Sequence, residues 1–134
     1  VTVLDTSAAF DFLLGVGVAD QVEALVNEEG ELAAPDLLVF ETVAVLRREA
    51  FRGSVSERRA GEAVEDLADL PVEMFPSMAL RTRAWALRAN LTAADALFLS
   101  LAEQLDEPLA TKDRALARAA PKHSTAAVIH LVTP

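Results

Sequence analysis

Five short apolar runs, Val1–Asp5, Glu31–Pro35, Val72–Phe75, Pro108–Thr111 and Ala127–Val132, alternate with longer segments of helical pattern along the 134 residues. Strands separated by a helix-length connection pair in parallel, whereas a hairpin needs only a short turn. The alternation therefore predicts an α/β chain: a mostly parallel sheet covered by helices on both faces. The helical segments are Ser7–Leu14, Asp20–Glu28, Asp36–Arg52, Ser56–Leu70, Ser77–Ala89, Thr92–Asp106 and Arg114–Ala120. Gly15, Gly30 and Gly53 close three of them, and Pro71 and Pro121 close two more. No linker, repeat or low-complexity stretch interrupts the chain, so residues 1–134 are expected to form a single domain.

Composition removes several function classes. There is no Cys, which excludes a disulfide-stapled module and a thiolate zinc site. The two His, His123 and His130, are too few and too late in the chain for a His-based metalloprotease motif and read as structural. The Asp and Glu total 21 against 12 Lys and Arg, a net charge of −9. That balance argues against nonspecific nucleic-acid binding through bulk positive charge. It is compatible with clustered carboxylates that hold divalent ions. No apolar run approaches the length of a membrane span and no targeting segment is visible, so the expected setting is the cytoplasm, without a membrane partner.

Ligands of open parallel sheets bind beyond the carboxyl ends of the strands. Four acids stand out when those ends are inspected. Asp5 closes the first strand directly before Thr6 and Ser7 and reads either as a helix cap or as a ligand. Glu41 lies among Leu37, Leu38, Ala44 and Val45, where a carboxylate is costly unless paired or bound to a metal. Its helical face continues to Arg48 and Arg52. Asp95 is the one early charge of an otherwise apolar helix, and Thr92-x-x-Asp95 also fits a capping box. Asp113 follows the strand Pro108–Thr111 and fits a cap for the next helix. Carboxylates gathered without a counter-ion raise one another's pKa. Such a group suits hard cations with oxygen ligands, Mg²⁺ or Mn²⁺.

V-L-D-T-S at the start, P-D-L-L-V-F-E-T-V-A-V-L-R-R, L-T-A-A-D-A-L-F-L-S-L-A-E and P-L-A-T-K-D-R-A-L together resemble the PIN domain family, and within it the VapC-type ribonuclease toxins, over essentially the whole chain. The resemblance implies a Rossmann-like α/β/α sandwich with a small sheet. It implies a metal-dependent endoribonuclease in which Asp5, Glu41, Asp95 and Asp113 hold Mg²⁺ or Mn²⁺. Thr6 or Ser7 then matches the family's hydroxyl after the first acid, and Thr111 the threonine before the fourth. Also implied are an RNA substrate, a homodimer, and an antitoxin whose C-terminal segment covers the acidic groove. Ions held in this way lower the pKa of a bound water and orient the scissile phosphate.

Other functions compete. A non-catalytic RNA- or partner-binding PIN module would carry the same motifs. A receiver-type phosphoacceptor domain wants an acidic pair after the first strand, and a haloacid-dehalogenase-type phosphatase wants D-x-D there; this chain has Asp5-Thr6-Ser7. Among the cations, Arg48 and Arg52 are candidate phosphate contacts near the Glu41 helix, within a basic region that also holds Arg47, Arg58 and Arg59. Glu49, Glu57 and Glu62 could equally balance that region as a solvated face. Arg81, Trp85 and Arg88 form one helical stripe, read mainly as core or interface with Arg stems packed over the ring. The six Phe read mainly as core, with Phe10 or Phe12 available to line a partner groove.

Overall fold

The computed structural model describes residues 1–133, the side chain of Glu29 excepted. Its strands are β1 (Thr2–Leu4), β2 (Leu32–Pro35), β3 (Val72–Phe75), β4 (Leu109–Thr111) and β5 (Val128–His130). They form one sheet in the order β3-β2-β1-β4-β5, with every pairing parallel. The helices are α1 (Thr6–Leu14), α2 (Ala19–Glu29), α3 (Leu37–Arg52), α4 (Glu57–Asp66), α5 (Arg81–Ala86), α6 (Ala93–Leu105) and α7 (Arg114–His123). The parallel α/β architecture expected from the alternation is the one observed.

From β1 the chain steps outward to β2 and β3, then returns to place β4 and β5 on the other side of β1. The order reverses between β1 and β4. A crevice opens at such a reversal because the connections leaving the two strands run to opposite sides. Asp5 follows β1, and Lys112 and Asp113 follow β4, so both enter that crevice from the carboxyl ends.

The central strands are apolar on both faces, as a doubly covered parallel sheet requires. Val3, Leu4, Leu32, Ala33, Ala34, Leu109 and Ala110 are all buried. α6 packs on this sheet with Ala96, Phe98, Leu99, Leu101 and Ala102 buried, and Phe98 is the largest side chain fully enclosed. A second, smaller cluster of Leu46, Ala60 and Ala63 joins α3 to α4.

Several local expectations require correction. Phe40 and Phe51 are not core: they are 70% and 72% exposed, because the polar-side positions of α3 face away from the sheet. Phe10, Phe12 and Phe75 are half-buried. Trp85 is 69% exposed, with the Arg88 guanidinium 4.5 Å over its ring, so its apolar face is covered by a cation and not by the core. The expected helix 56–70 ends at Asp66 and tightens into a 3₁₀ turn over Leu67–Asp69 before Pro71. The segment 77–89 begins as 3₁₀ turn Ser77–Leu80, and only Arg81–Ala86 is α-helical. Pro121 does not stop α7, which runs to His123. It stands in the last turn, where a missing N–H costs one bond at most.

No helix is long and apolar enough to cross a membrane among the described residues.

Candidate active site

Three of the four acids are delivered by a helix start or a strand end, and Glu41 by the second turn of α3. Asp5 leaves β1 in extended conformation and caps α1, its Oδ1 accepting the Ala8 N–H at 3.1 Å and the Ser7 hydroxyl at 2.8 Å. The second oxygen accepts the Thr111 hydroxyl from the end of β4. Thr111 in turn accepts the Asp113 N–H at 2.9 Å, so one threonine ties the first acid to the fourth across the strand-order reversal. Thr6 donates to Glu41 Oε1 at 2.6 Å, joining α1 to α3. The two hydroxyls after Asp5 therefore divide the work: Ser7 orients Asp5 and Thr6 orients Glu41.

Caps and candidate ligands coincide. Thr92 caps α6 by accepting the Asp95 N–H at 3.2 Å, and Asp113 caps α7 by accepting from Ala115 and Leu116. The capping readings of Asp5, Thr92-x-x-Asp95 and Asp113 all hold in the structure. They leave the ligand reading open, because a helix N-terminus stabilises an anion whether or not it has a second task.

Two of the four acids are shifted by burial, with smaller contributions from the charges of the others. Burial raises the Asp5 carboxyl above the ordinary range; hydrogen bonds from Thr111, Ser7 and Ala8 pull it back, and the Asp113 charge pushes it up. Burial also raises Asp95, the Thr92 hydroxyl opposes this, and the charges of Asp113, Asp5 and Glu41 add to the rise. Asp95 thus feels all three other acids. Asp113 is itself exposed and Glu41 half-buried. Asp5 and Glu41 accept from hydroxyls and Asp113 from backbone amides, and among the described residues no group of three or more carboxylates or imidazoles stands in a metal-holding arrangement. The donor chemistry nonetheless suits a hard cation: all oxygen, mutually repelling, with no soft ligand near.

A raised carboxyl favours the fold when protonated. The stability that Asp95 contributes is present below the ordinary carboxylate range and lost as pH rises through its folded pKa. In ion-free protein at pH 7 we expect Asp95→Asn to melt above wild type, by under about 1 kcal/mol after solvent screening. The gap should close as pH falls below the carboxylate range. Thermal melts in EDTA across pH measure this, and a variant that melts below wild type at pH 7 refutes it.

The candidate phosphate contacts are placed differently from one another. Arg48 borders a cavity of about 580 Å³ that also includes Thr6, Ser7 and Glu41, whereas Arg52 does not. Both share Glu49 as an ionic partner, at 3.3 and 3.7 Å. Arg58 pairs with Glu62, and Arg59 with Glu62 and Asp66. Most of this basic region is the balanced face. His123 offers its backbone carbonyl to Arg83, and His130 lies exposed on β5, consistent with structural positions. Two residues escaped the sequence reading: Asp11, buried in α1, and Lys112, its ionic partner at 2.8 Å. The visible signal was a lone acid inside F-D-F-L-L followed by G-V-G.

Comparison with known proteins agrees with this architecture. The family model described as PIN domain matches residues 2–122. The chain is 38% identical to Ribonuclease VapC1 of Mycobacterium tuberculosis over 118 residues, covering 87% of this chain and 89% of that protein. It is 32% identical to Ribonuclease VapC12 of the same species over 130 residues, covering 97% and 98%. Among solved structures, PAE2754 of Pyrobaculum aerophilum superposes with a TM-score of 0.66 at 23% identity, over 95% of this chain and 81% of that one. The VapBC2 complex of Rickettsia felis, bound to a promoter DNA fragment, gives 0.62 at 13% identity over 96% and 97%. With a family match over nearly its whole length and relatives that share almost theirs, the chain belongs to the PIN domain family, in its VapC branch.

Proposed function

We propose that this protein is a metal-dependent endoribonuclease, the toxin of a toxin–antitoxin pair, in which Asp5, Glu41, Asp95 and Asp113 hold Mg²⁺ or Mn²⁺. The observation that carries this reading is the hydroxyl scaffold at the strand-order reversal, where Thr111 joins Asp5 to the Asp113 amide and Thr6 joins α1 to Glu41. The VapC ribonucleases among its relatives supply the substrate class, RNA. A divalent ion held there supplies an activated water and offsets charge on the scissile phosphate. Thr6, Ser7 and Thr111 keep Glu41 and Asp5 aimed, and the Thr111 hydroxyl that holds Asp5 also accepts the Asp113 backbone N–H.

The antitoxin reading draws on the similarity to the VapBC2 and FitAB complexes. An antitoxin that carries Arg or Lys into the acidic groove would pair with the carboxylates and displace the ion. The homodimer reading rests on Val39, Phe40 and Val43, exposed together on α3, an apolar face of the kind that subunit contacts cover.

Differential melting with millimolar Mn²⁺ is the first test. Binding to the folded state alone raises the melting temperature in proportion to occupancy, and the shift should vanish in Asp5→Asn and Asp95→Asn. Light scattering at micromolar concentration should report a dimer. Cleavage of a tRNA pool by antitoxin-free protein should require the ion and stop with saturating antitoxin. No thermal shift in wild type, together with EDTA-resistant cleavage, refutes the reading and leaves a non-catalytic module ahead.

A further inference from the structure

One buried charge plays no part in the acidic site. The Asp11 side chain, on α1, is only 3% exposed, and its Oδ2 accepts both the Val18 N–H at 3.1 Å and the Lys112 ammonium at 2.8 Å. The turn after α1 is shaped around this carboxylate. Gly17 sits at φ +55°, and a Cβ there would stand 2.0 Å from the same Oδ2, so a side chain at position 17 would drive Asp11 out. A buried carboxylate is costly unless it is paired and hydrogen-bonded, and here it is both.

The pair is neutral, yet its two ends are presented unequally. The carboxylate is enclosed, whereas the Lys112 side chain is 39% exposed and lines the cavity that also includes Thr6, Ser7, Glu41 and Arg48. Its neighbours in sequence are Thr111, which holds Asp5, and Asp113. The ammonium is thereby set at a constant offset from the acidic site. An ammonium has three donors, and a single hydrogen bond, to Asp11, is made by this one among the described residues.

We propose that Lys112, fixed in place by Asp11, binds a phosphate of the RNA strand next to the scissile one. The inference rests on the endoribonuclease reading. Four clustered carboxylates repel a polyanion, so the strand needs a cation close by that does not itself neutralise the acids. Arg48 borders the same cavity, but its side chain is more exposed and shares Glu49 with Arg52. Lys112 is already ordered by a buried partner, so less freedom is lost when it takes a phosphate.

The test is binding of a single-stranded RNA oligonucleotide to the otherwise wild-type chain at fixed millimolar Ca²⁺, a hard oxygen-seeking ion in place of Mg²⁺ or Mn²⁺, with KCl varied and gels checking that the RNA stays intact; wild type is the parent. Each phosphate contact on a single strand adds about 0.7 to the slope of log K against log salt. Lys112→Met should lower the slope by about that amount and weaken low-salt binding roughly tenfold. Lys112→Arg should restore the slope. Because Lys112→Met strands a buried carboxylate, the double variant Asp11→Asn/Lys112→Met removes both charges and keeps an acceptor for the Val18 N–H; it should show the same loss of slope. Asp11→Asn alone keeps the cation, so it should keep the slope and lose affinity. A purely structural tie between α1 and the end of β4 would leave the slope unchanged. An unchanged slope in both Met variants overturns this inference and leaves the nuclease reading standing, whereas no RNA binding by the parent overturns both.

Discussion

Asp5→Ala and Asp95→Ala should each lower RNA cleavage by a factor on the order of 10² or more, while His123→Ala and His130→Ala should leave it nearly unchanged. Removing an ion ligand takes away charge and geometry together, and even the partners that orient ligands are worth about 10- to 100-fold. Asp5 should be the more sensitive of the two to conservative change. Both its oxygens are engaged, one by Ser7 and Ala8 and one by Thr111, so Asp5→Asn presents an amide N–H to a hydroxyl donor. Asp113 is exposed and its Oδ1 caps α7, so Asp113→Ala should be milder on cleavage and also cost helix stability, about 1 kcal/mol. Gel assays with mapped 5′ ends, run with EDTA and with Mn²⁺ restored, check all of these. Equal activity in Asp95→Ala would assign the cleavage to a contaminating nuclease.

Phe98→Ala should cost about 3–5 kcal/mol, the range for removing a fully buried ring and leaving a cavity. At this chain length that lowers the melting temperature by roughly 10–15 °C. Phe98 lies one helical turn after Asp95 on α6 and is 1% exposed, packed into the main core with Leu99 and Leu101. The cavity would open under the helix that carries Asp95, so cleavage should fall further as temperature rises toward the lowered transition. Phe51→Ala is the control: that ring is exposed and loses only the contact with Arg47, 4.7 Å from its centroid, worth about 0.5–1 kcal/mol. Chemical denaturation of both variants measures the contrast. Similar losses for the two Phe would mean that α6 is not the enclosed helix described here.

A different ion network ties α5, α6 and the end of α7 to one another. Arg83 bonds both oxygens of Glu103 at 2.7 and 2.9 Å and reaches the His123 carbonyl at 3.1 Å, while Ser124 donates to Glu103 at 2.6 Å. The Arg83 hydrogen bond, first, and then Ser124 hold the Glu103 carboxyl below its usual value. The stability it contributes is present above the ordinary Glu range and lost as pH falls through the lowered value. This is the opposite sign to Asp95. The two carboxyls differ because the Arg83 hydrogen bond outweighs burial at Glu103, whereas at Asp95 burial dominates and three acids add to it.

The alternation of apolar runs and helical segments was sufficient to state the parallel α/β architecture, because side-chain period and connection length are written in the chain itself. The four acids were legible for a related reason: each stands at a strand end or helix start, or deep in an apolar run, where a charge calls for explanation. Where a helix turns its faces was less legible. Phe40 and Phe51 carry apolar side chains on the outer side of α3, and hydrophobicity alone cannot tell an exposed ring from a buried one. Only the tertiary structure decided which hydroxyl serves which acid, since Thr6 and Ser7 are adjacent in sequence but point to Glu41 and Asp5. It alone brought Asp11 to Lys112 across 101 positions. Local propensity acts over a few residues and so is written along the chain. Pairing of charges across the sheet depends on strand order, which comes from the packing of the whole domain.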